Sequence, residues 1–240
     1  MVTIGNFLFR YRNGLFPLFY ALLFFKSSPV FPDYRVALLI GLLVALSGQV
    51  LRAVTIGLDY IQRGGRHRKV YADKLVQGGV FAHCRNPLYV GNFLILLGVG
   101  LAANSALFLS VAIPFFIFAY WAIISAEENY LRNKFGEEFE NYCARVNRLV
   151  PNFSGFKQTF SAMRFNWSKI VVKEYGSAYI WMAAMPLVVL KNLWLTREYQ
   201  KNQPLVLSLW SIFIVVSLAY GLARYLKKSG LLTAELKSTG

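Results

Sequence analysis

The feature that most limits what this chain can fold into is a series of apolar blocks, each close to the length of a bilayer crossing. A membrane helix needs roughly 20 largely apolar residues. Such blocks run over residues 14–31, 36–58, 88–103, 107–125, 175–195 and 205–225, so six spans are expected. Lys26 and Pro29 shorten the first, and the third is brief unless it starts deeper in the segment before it. Only residues 102–106 separate the third block from the fourth, which predicts a tight helical hairpin. Composition agrees. The 240 residues are 56% apolar and 15% charged, with mean hydropathy +0.44, whereas a soluble domain carries about 25% charged residues. A cytosolic enzyme, an extracellular module and a disordered tail all fit poorly. The 20 Phe, 14 Tyr and 5 Trp suit rings placed at membrane interfaces.

Net charge is +15. In a soluble chain that would suggest nucleic acid. Here the basic residues lie between apolar blocks, so they read as orientation signals and no nucleic-acid partner is expected. With the amino terminus inside, 20 of the 26 basic residues fall in inner segments (1–13, 59–87, 126–174, and 224 with 226–240). Five fall outside, and Arg52 lies within a span. This bias supports the span count and puts both termini in the cytosol. With no organelle signal, a bacterial inner (cytoplasmic) membrane is the default location. No small-x-small site follows the first apolar run, so no cleavable leader is expected. Cys84 and Cys143, 59 residues apart with no Cys-x-x-Cys, read as ordinary thiols.

Three stretches do not read as lipid-facing helix. Residues 59–87 are polar and basic, with Gly64-Gly65 and Gly78-Gly79. Residues 127–151 carry an apolar stripe, Leu131, Phe135, Phe139, Tyr142, Val146 and Leu149, on a charged helix that Gly136 can break in two. Residues 152–174 mix Phe153, Phe156, Phe160, Phe165 and Trp167 with Lys157, Arg164, Lys169 and Lys173. That mixture suits the inner headgroup layer, or a loop covering the inner domain.

Four clusters are candidates for chemistry. Arg85-Asn86-Pro87 forms an extended turn feeding a proline-started helix, whose free amides can hold a carboxylate or phosphate. The plainer reading is a helix start with a snorkelling Arg85. Glu127-Glu128 directly follow an apolar span, where acids are costly unless paired or wet. They suit a cationic ligand, a pairing with Arg85, or a solvated helix end. Tyr142, Arg145 and Arg148 share a helix face at steps of three, although positive-inside bias alone also supplies arginines there. Gln49, Arg52, Thr55 and Asp59 lie roughly on one face of the second span. Arg52 either snorkels or lines a polar cavity and meets a headgroup or carboxylate. No dinucleotide fingerprint, phosphate loop or His-Glu-x-x-His is present, and His67 and His83 are too few for a metal cluster.

The segment 85–91 reads Arg-Asn-Pro-Leu-Tyr-Val-Gly, and the Glu127-Glu128 pair follows after a hairpin. Then comes Leu131, Phe135-Gly136, Phe139, Tyr142 and Val146, closing at Pro151. This combination resembles the membrane-integral methyltransferases, a group containing isoprenylcysteine carboxyl methyltransferase and the phospholipid N-methyltransferases. The likeness covers about residues 75–151. It implies an all-α integral membrane protein of about six transmembrane helices, with cytosol-facing amphipathic helices forming a cofactor pocket. It further implies S-adenosylmethionine, leaving as S-adenosylhomocysteine, held by His83, Arg85, Asn86, Pro87, Leu88, Tyr89, Gly91, Glu127, Glu128, Leu131, Tyr142 and Arg145, without a metal. Arg145, Glu128 and Arg52 are the residues expected to act on the reacting groups, as cations orienting a carboxylate or as an acid assisting an amine. The implied substrate is a lipid or lipidated molecule from the bilayer, with a carboxyl acceptor slightly favoured over an amine. Asn86 stands where the carboxyl methyltransferases usually have His, which loosens the link to isoprenylcysteine more than the link to the cofactor.

The expected organisation is two spans in 1–58, a methyltransferase core in 59–151, a basic-aromatic interfacial linker in 152–174, and two spans with a tail in 175–240. Two other readings stay open. Lys134-Phe135-Gly136 echoes the NADPH-dependent sterol reductases, against which the adjacent acids would repel a phosphate-rich dinucleotide. A non-catalytic membrane assembly or transport protein would use the same polar residues as anchors. The methyltransferase reading requires the 85–89 turn, the acids and the helix bearing Tyr142 to converge on one pocket open sideways to lipid.

Overall fold

A computed structural model describes residues 1–58, 70–161 and 165–232. Asp59, Gly64-Gly65, His67 and Arg164 lie outside the described residues. Every regular element among the described residues is helical: α1 (Val2–Ala21), α2 (Tyr34–Leu58), α3 (Pro87–Ala102), α4 (Ile113–Phe135), α5 (Glu137–Arg145), α6 (Phe156–Ser161), α7 (Trp167–Leu195) and α8 (Gln203–Lys228). Short 3-10 turns cover Leu22–Phe24 and Gly79–Ala82, and a π-helical turn at Phe108–Ala112 runs into α4.

Local chemistry explains several boundaries. Pro87 opens α3, with Asn86 held outside helical geometry at φ −127° and ψ 49°. Pro114 lacks an amide hydrogen, and the wider π turn just before it lets the helix continue past. Asn166 caps α7 by accepting a hydrogen bond from the Lys169 amide at 2.9 Å. Gly136 separates α4 from α5 at φ 51° and ψ −123°, where a side chain would be strained.

Helices α2 and α3 pack most tightly, through small residues. A methyl added at Gly98 would run into the backbone of Ala45 and Gly41, and one at Gly48 into the Gly91 carbonyl. Helix α1 runs antiparallel to α4. Gly5 lies against Ala122 and Ala126, and Phe19 stacks on Phe115 at 3.6 Å. Helix α7 packs on α2, α3 and α8, with Tyr179 stacked on Tyr220 at 4.4 Å. One end of the bundle collects Arg85, Arg148 and Lys227 and is called the basic end. At the opposite end Asn104 straps the α1–α2 connection by accepting from the Val30 and Phe31 amides at 2.9 Å each.

Among the described residues, four helical stretches are long and apolar enough to cross a membrane: Tyr34–Leu58, Phe108–Phe135, Trp167–Leu195 and Gln203–Lys228. Helix α3 is apolar but has 16 residues, and α1 carries Arg10, Arg12 and Asn13. Three expected boundaries are corrected. The first block is not 14–31: the helix begins at Val2, and residues beyond Phe24 form the strapped connection. Arg10 and Arg12 therefore lie in a helix rather than a loop. Helix α4 runs on to Phe135, so Glu127 and Glu128 sit on the span helix itself. Helix α7 starts at Trp167, which removes Lys169 and Lys173 from the interfacial linker.

Candidate functional site

A cavity of about 1310 Å³ runs through the bundle from the basic end towards the opposite end. Its polar end is built where the turn before α3 meets α4 and the 143–148 segment. Arg85 reaches from that turn to the Glu128 carboxylate, with Nη2 donating at 3.1 Å and Nε at 3.2 Å. Its Nη1 also donates to the carbonyls of Cys143 at 3.1 Å and Val146 at 2.7 Å. Arg148 binds the other Glu128 oxygen at 2.6 Å. Asn86 Nδ2 donates to the Arg148 carbonyl at 3.1 Å. Glu128 is thus a brace holding three segments together. A buried carboxylate between two arginines is stable only while both partners stay.

Glu127, one position on, has a different environment. It lines the cavity and accepts a hydrogen bond from the Tyr89 hydroxyl at 2.8 Å. Tyr142, on α5, donates to the Phe81 carbonyl at 2.7 Å and so fixes the 79–82 turn as a wall. Burial, opposed by Arg85, raises the Tyr142 hydroxyl above the ordinary tyrosine value. Burial likewise raises the Cys84 thiol, which donates weakly to the Leu149 carbonyl at 3.4 Å. At neutral pH it stays a protonated structural group rather than a nucleophile.

Further along the cavity, Arg52 is 1% exposed and pairs with both oxygens of Glu174 on α7. Its Nε–Oε1 distance is 2.6 Å and its Nη2–Oε2 distance is 2.9 Å. Arg52 also donates to the Leu88 carbonyl and the Asn92 side chain. Gln49 joins by donating to Glu174 at 3.4 Å and accepting from Trp181 Nε1 at 2.8 Å. Beyond this network the lining turns apolar, with Phe16, Leu96, Val99 and Ala184. Asn13, Pro17 and Ala21 on α1 and Ile180 on α7 line the cavity and are also exposed at the bundle surface. The cavity therefore reaches the side of the bundle along α1 and α7.

Of the residues named from the sequence, Arg52, Arg85, Asn86, Pro87, Leu88, Tyr89, Glu127, Glu128, Leu131 and Tyr142 line this cavity. Three lie elsewhere. His83 is turned towards the segment after Pro151, with ring nitrogens 2.7 Å from the Asn152 carbonyl and 2.9 Å from Thr159 Oγ1. Gly91 sits beneath the Arg52 stem and Gly48, where it permits close helix approach. Arg145 is exposed and donates to Gln77 at 3.1 Å, while Arg148, three residues on and past the end of α5, takes the place beside Glu128. For Arg52 the sequence leaves open snorkelling or a polar cavity with a headgroup or carboxylate; the side chain lines the cavity and its carboxylate partner is Glu174 of the same chain. The sequence does not single out Glu174, Trp181 or Arg12. Glu174 closes the stretch read as an interfacial linker and Trp181 falls in a block read as a span, and no local pattern links them to Arg52. Among the described residues, no group of three or more His, Cys, Asp or Glu side chains is placed to hold a metal ion.

Residues 36–138 match the profile of a family described as phospholipid methyltransferase. The nickel-cobalt-cadmium resistance protein NccN of Alcaligenes xylosoxydans xylosoxydans is 33% identical over 84 residues, 35% of this chain and 39% of that protein. The protein-S-isoprenylcysteine O-methyltransferase of Tribolium castaneum is 31% identical over 130 residues, 49% of this chain and 43% of its own length. Its Schizosaccharomyces pombe counterpart is 32% identical over 114 residues, 43% and 45% of the two chains. The chain thus spans less than half the length of these curated relatives. No solved structure matches it.

Proposed function

The matched part of this chain, residues 36–138, belongs to the phospholipid methyltransferase family, and from that premise we propose that the protein moves a methyl group from S-adenosylmethionine to a lipid-like acceptor held in the bilayer. The observation that carries this reading is a continuous cavity with two unlike ends. One end offers carboxylate, amide and hydroxyl groups beside the turn before α3. The other is apolar and reaches the lipid-facing side of the bundle.

The residues at the basic end fit the donor's chemistry. Glu127 offers a carboxylate to an ammonium group. Asn86 and Tyr89 offer dipoles to polar edges, and Pro87, Leu88 and Leu131 offer apolar surface to a ring. Arg85, Glu128 and Arg148 position these groups through their mutual ion pairs. S-adenosylmethionine brings a methyl group already activated on a sulfonium, so the protein's task is binding, orientation and exclusion of water. A carboxylate acceptor is ionised at neutral pH and needs no base. An amine must first lose a proton, and Glu127 is the acid standing at the right place to accept it. Glu127 is already engaged by Tyr89, which favours the carboxyl acceptor.

The proposed setting is a bacterial inner membrane with both termini cytosolic. Helices α1 and α3 then cross together with the four longer apolar stretches. Lipid chains enter along α1 and α7, while the polar donor arrives from the cytosolic basic end.

The test is transfer of labelled methyl from S-adenosylmethionine into a lipid extract of the host, with the product identified by mass. Calorimetric titration with S-adenosylhomocysteine and with NADPH separates this reading from a reductase. Arg85→Ala and Glu128→Gln are each expected to weaken S-adenosylhomocysteine binding by at least about tenfold, the scale of a lost charge-assisted hydrogen bond. Wild-type affinity in both variants would remove the assigned donor site.

A further inference from the structure

Among the described residues, three arginines line the cavity: Arg12, Arg52 and Arg85. Arg52 is neutralised by Glu174, and Arg85 is held by Glu128. Arg12, on α1, differs. Among the described residues no carboxylate stands within ion-pair distance of it. Its guanidinium lies over the Phe9 ring, 4.0 Å from the centroid. Phe9 packs beside Ala122 and Ile123 of α4, and Phe16 packs on Phe116 and Tyr120. Arg12 stands between these two layers, about midway along the helix pair. A cation at that depth is costly unless an anion or water meets it. Here it faces the cavity between the acid-bearing end and the apolar arm.

We propose that Arg12 orients the acceptor's carboxylate, which makes α1 the element that selects an anionic amphiphile over an amine-headed one. The proposal deepens the methyltransferase reading and rests on it for the position of the donor. An acceptor whose chain lies along Phe16, Tyr20 and Val99 brings its head to Arg12. There it faces the end assigned to the donor at Glu127. An ammonium head at the same point would meet repulsion from the Arg12 guanidinium. In the transfer, the carboxylate oxygen forms the new C–O bond with a lone pair as the carbon–sulfur bond of the sulfonium breaks. The bonding pair stays on sulfur as a neutral thioether, and no proton is released. Helix α1 lies outside the segment shared with the family, so this selectivity belongs to the part of the chain that the family pattern leaves open.

The donor itself carries a carboxylate, so the test separates the two sources. Purified protein in phosphatidylcholine nanodiscs is titrated with oleate, oleylamine and oleyl alcohol, which share one chain and differ in the head. S-adenosylhomocysteine affinity is measured in parallel on wild type, Arg12→Gln and Arg12→Lys. Wild type is expected to prefer oleate over both other heads by about tenfold or more. Arg12→Gln loses that preference and Arg12→Lys keeps most of it, with S-adenosylhomocysteine affinity within about twofold throughout. Oleate preference surviving in Arg12→Gln overturns the proposal. A parallel fall in oleate and S-adenosylhomocysteine affinity also overturns it, because Arg12 would then serve the donor's carboxylate. Failure of wild type to bind S-adenosylhomocysteine would strike the methyltransferase reading instead, and the oleate arms would still decide what Arg12 does.

Discussion

The two glutamates at 127 and 128 are chemically identical neighbours with separate tasks, because a helix turns about 100° per residue. Glu128 points between Arg85 and Arg148, and Glu127 points into the cavity at Tyr89. Glu127→Gln is therefore expected to weaken S-adenosylhomocysteine binding while leaving thermal stability near wild type. Glu128→Gln should lower both. Equal loss of stability in the two variants would contradict this division. The Arg52–Glu174 pair invites a sharper test. Removing one partner leaves a buried charge, at a cost of about 3–5 kcal/mol, whereas replacing both with apolar groups is often neutral or stabilising. Glu174→Ala should lower the unfolding midpoint strongly, and Arg52→Met combined with Glu174→Leu should recover most of it. A single variant as stable as wild type would mean that the pair contributes nothing.

At the scale of elements, the contact between α2 and α3 sets how close Arg52 comes to the cavity. Gly41, Ala45 and Gly48 meet Gly91 and Gly98, and at Gly41 and Gly98 the obstacles to any larger group are backbone atoms of the facing helix. Backbone cannot swing aside as a side chain can. Gly98→Val is expected to cost about 1–3 kcal/mol by overpacking and to show a lower midpoint in thermal unfolding. The break at Gly136 is a different constraint. Its surroundings are open, yet φ is positive, so any loss there comes from backbone strain alone. Both glycines are visible in the sequence. Gly136 is legible as a helix break because Gly inside an amphipathic run is a local signal. The role of Gly91 is not, since its neighbour Gly48 lies on another helix.

At the scale of the molecule, the cavity has walls from nearly every long helix. The α1 stripe of Asn13, Pro17 and Ala21 and the α7 residues Ile180 and Ala184 bring it to the bundle side. If lipid enters there, filling the rim should obstruct the acceptor and spare the donor. Ala21→Trp and Ala184→Trp are expected to raise KM for a long-chain acceptor severalfold, with unchanged S-adenosylhomocysteine affinity. Equal effects on both ligands would mean that the two share one entrance.

The chain's own order of residues was enough to show apolar helices of membrane length, the hairpin at 102–106, the proline start of α3, the glycine break after α4, and the segments whose polar groups meet at the basic end. These follow from hydrophobic run length, caps and backbone stereochemistry, all of which act over a few residues. Tertiary packing alone decided that α1 begins at Val2, that Arg148 rather than Arg145 stands beside Glu128, and that Glu174 answers Arg52 from 122 positions away. It also left Arg12, among the described residues, with no carboxylate at ion-pair distance. Ion pairing inside a membrane bundle depends on which helix faces come together, and no local pattern in the chain encodes that.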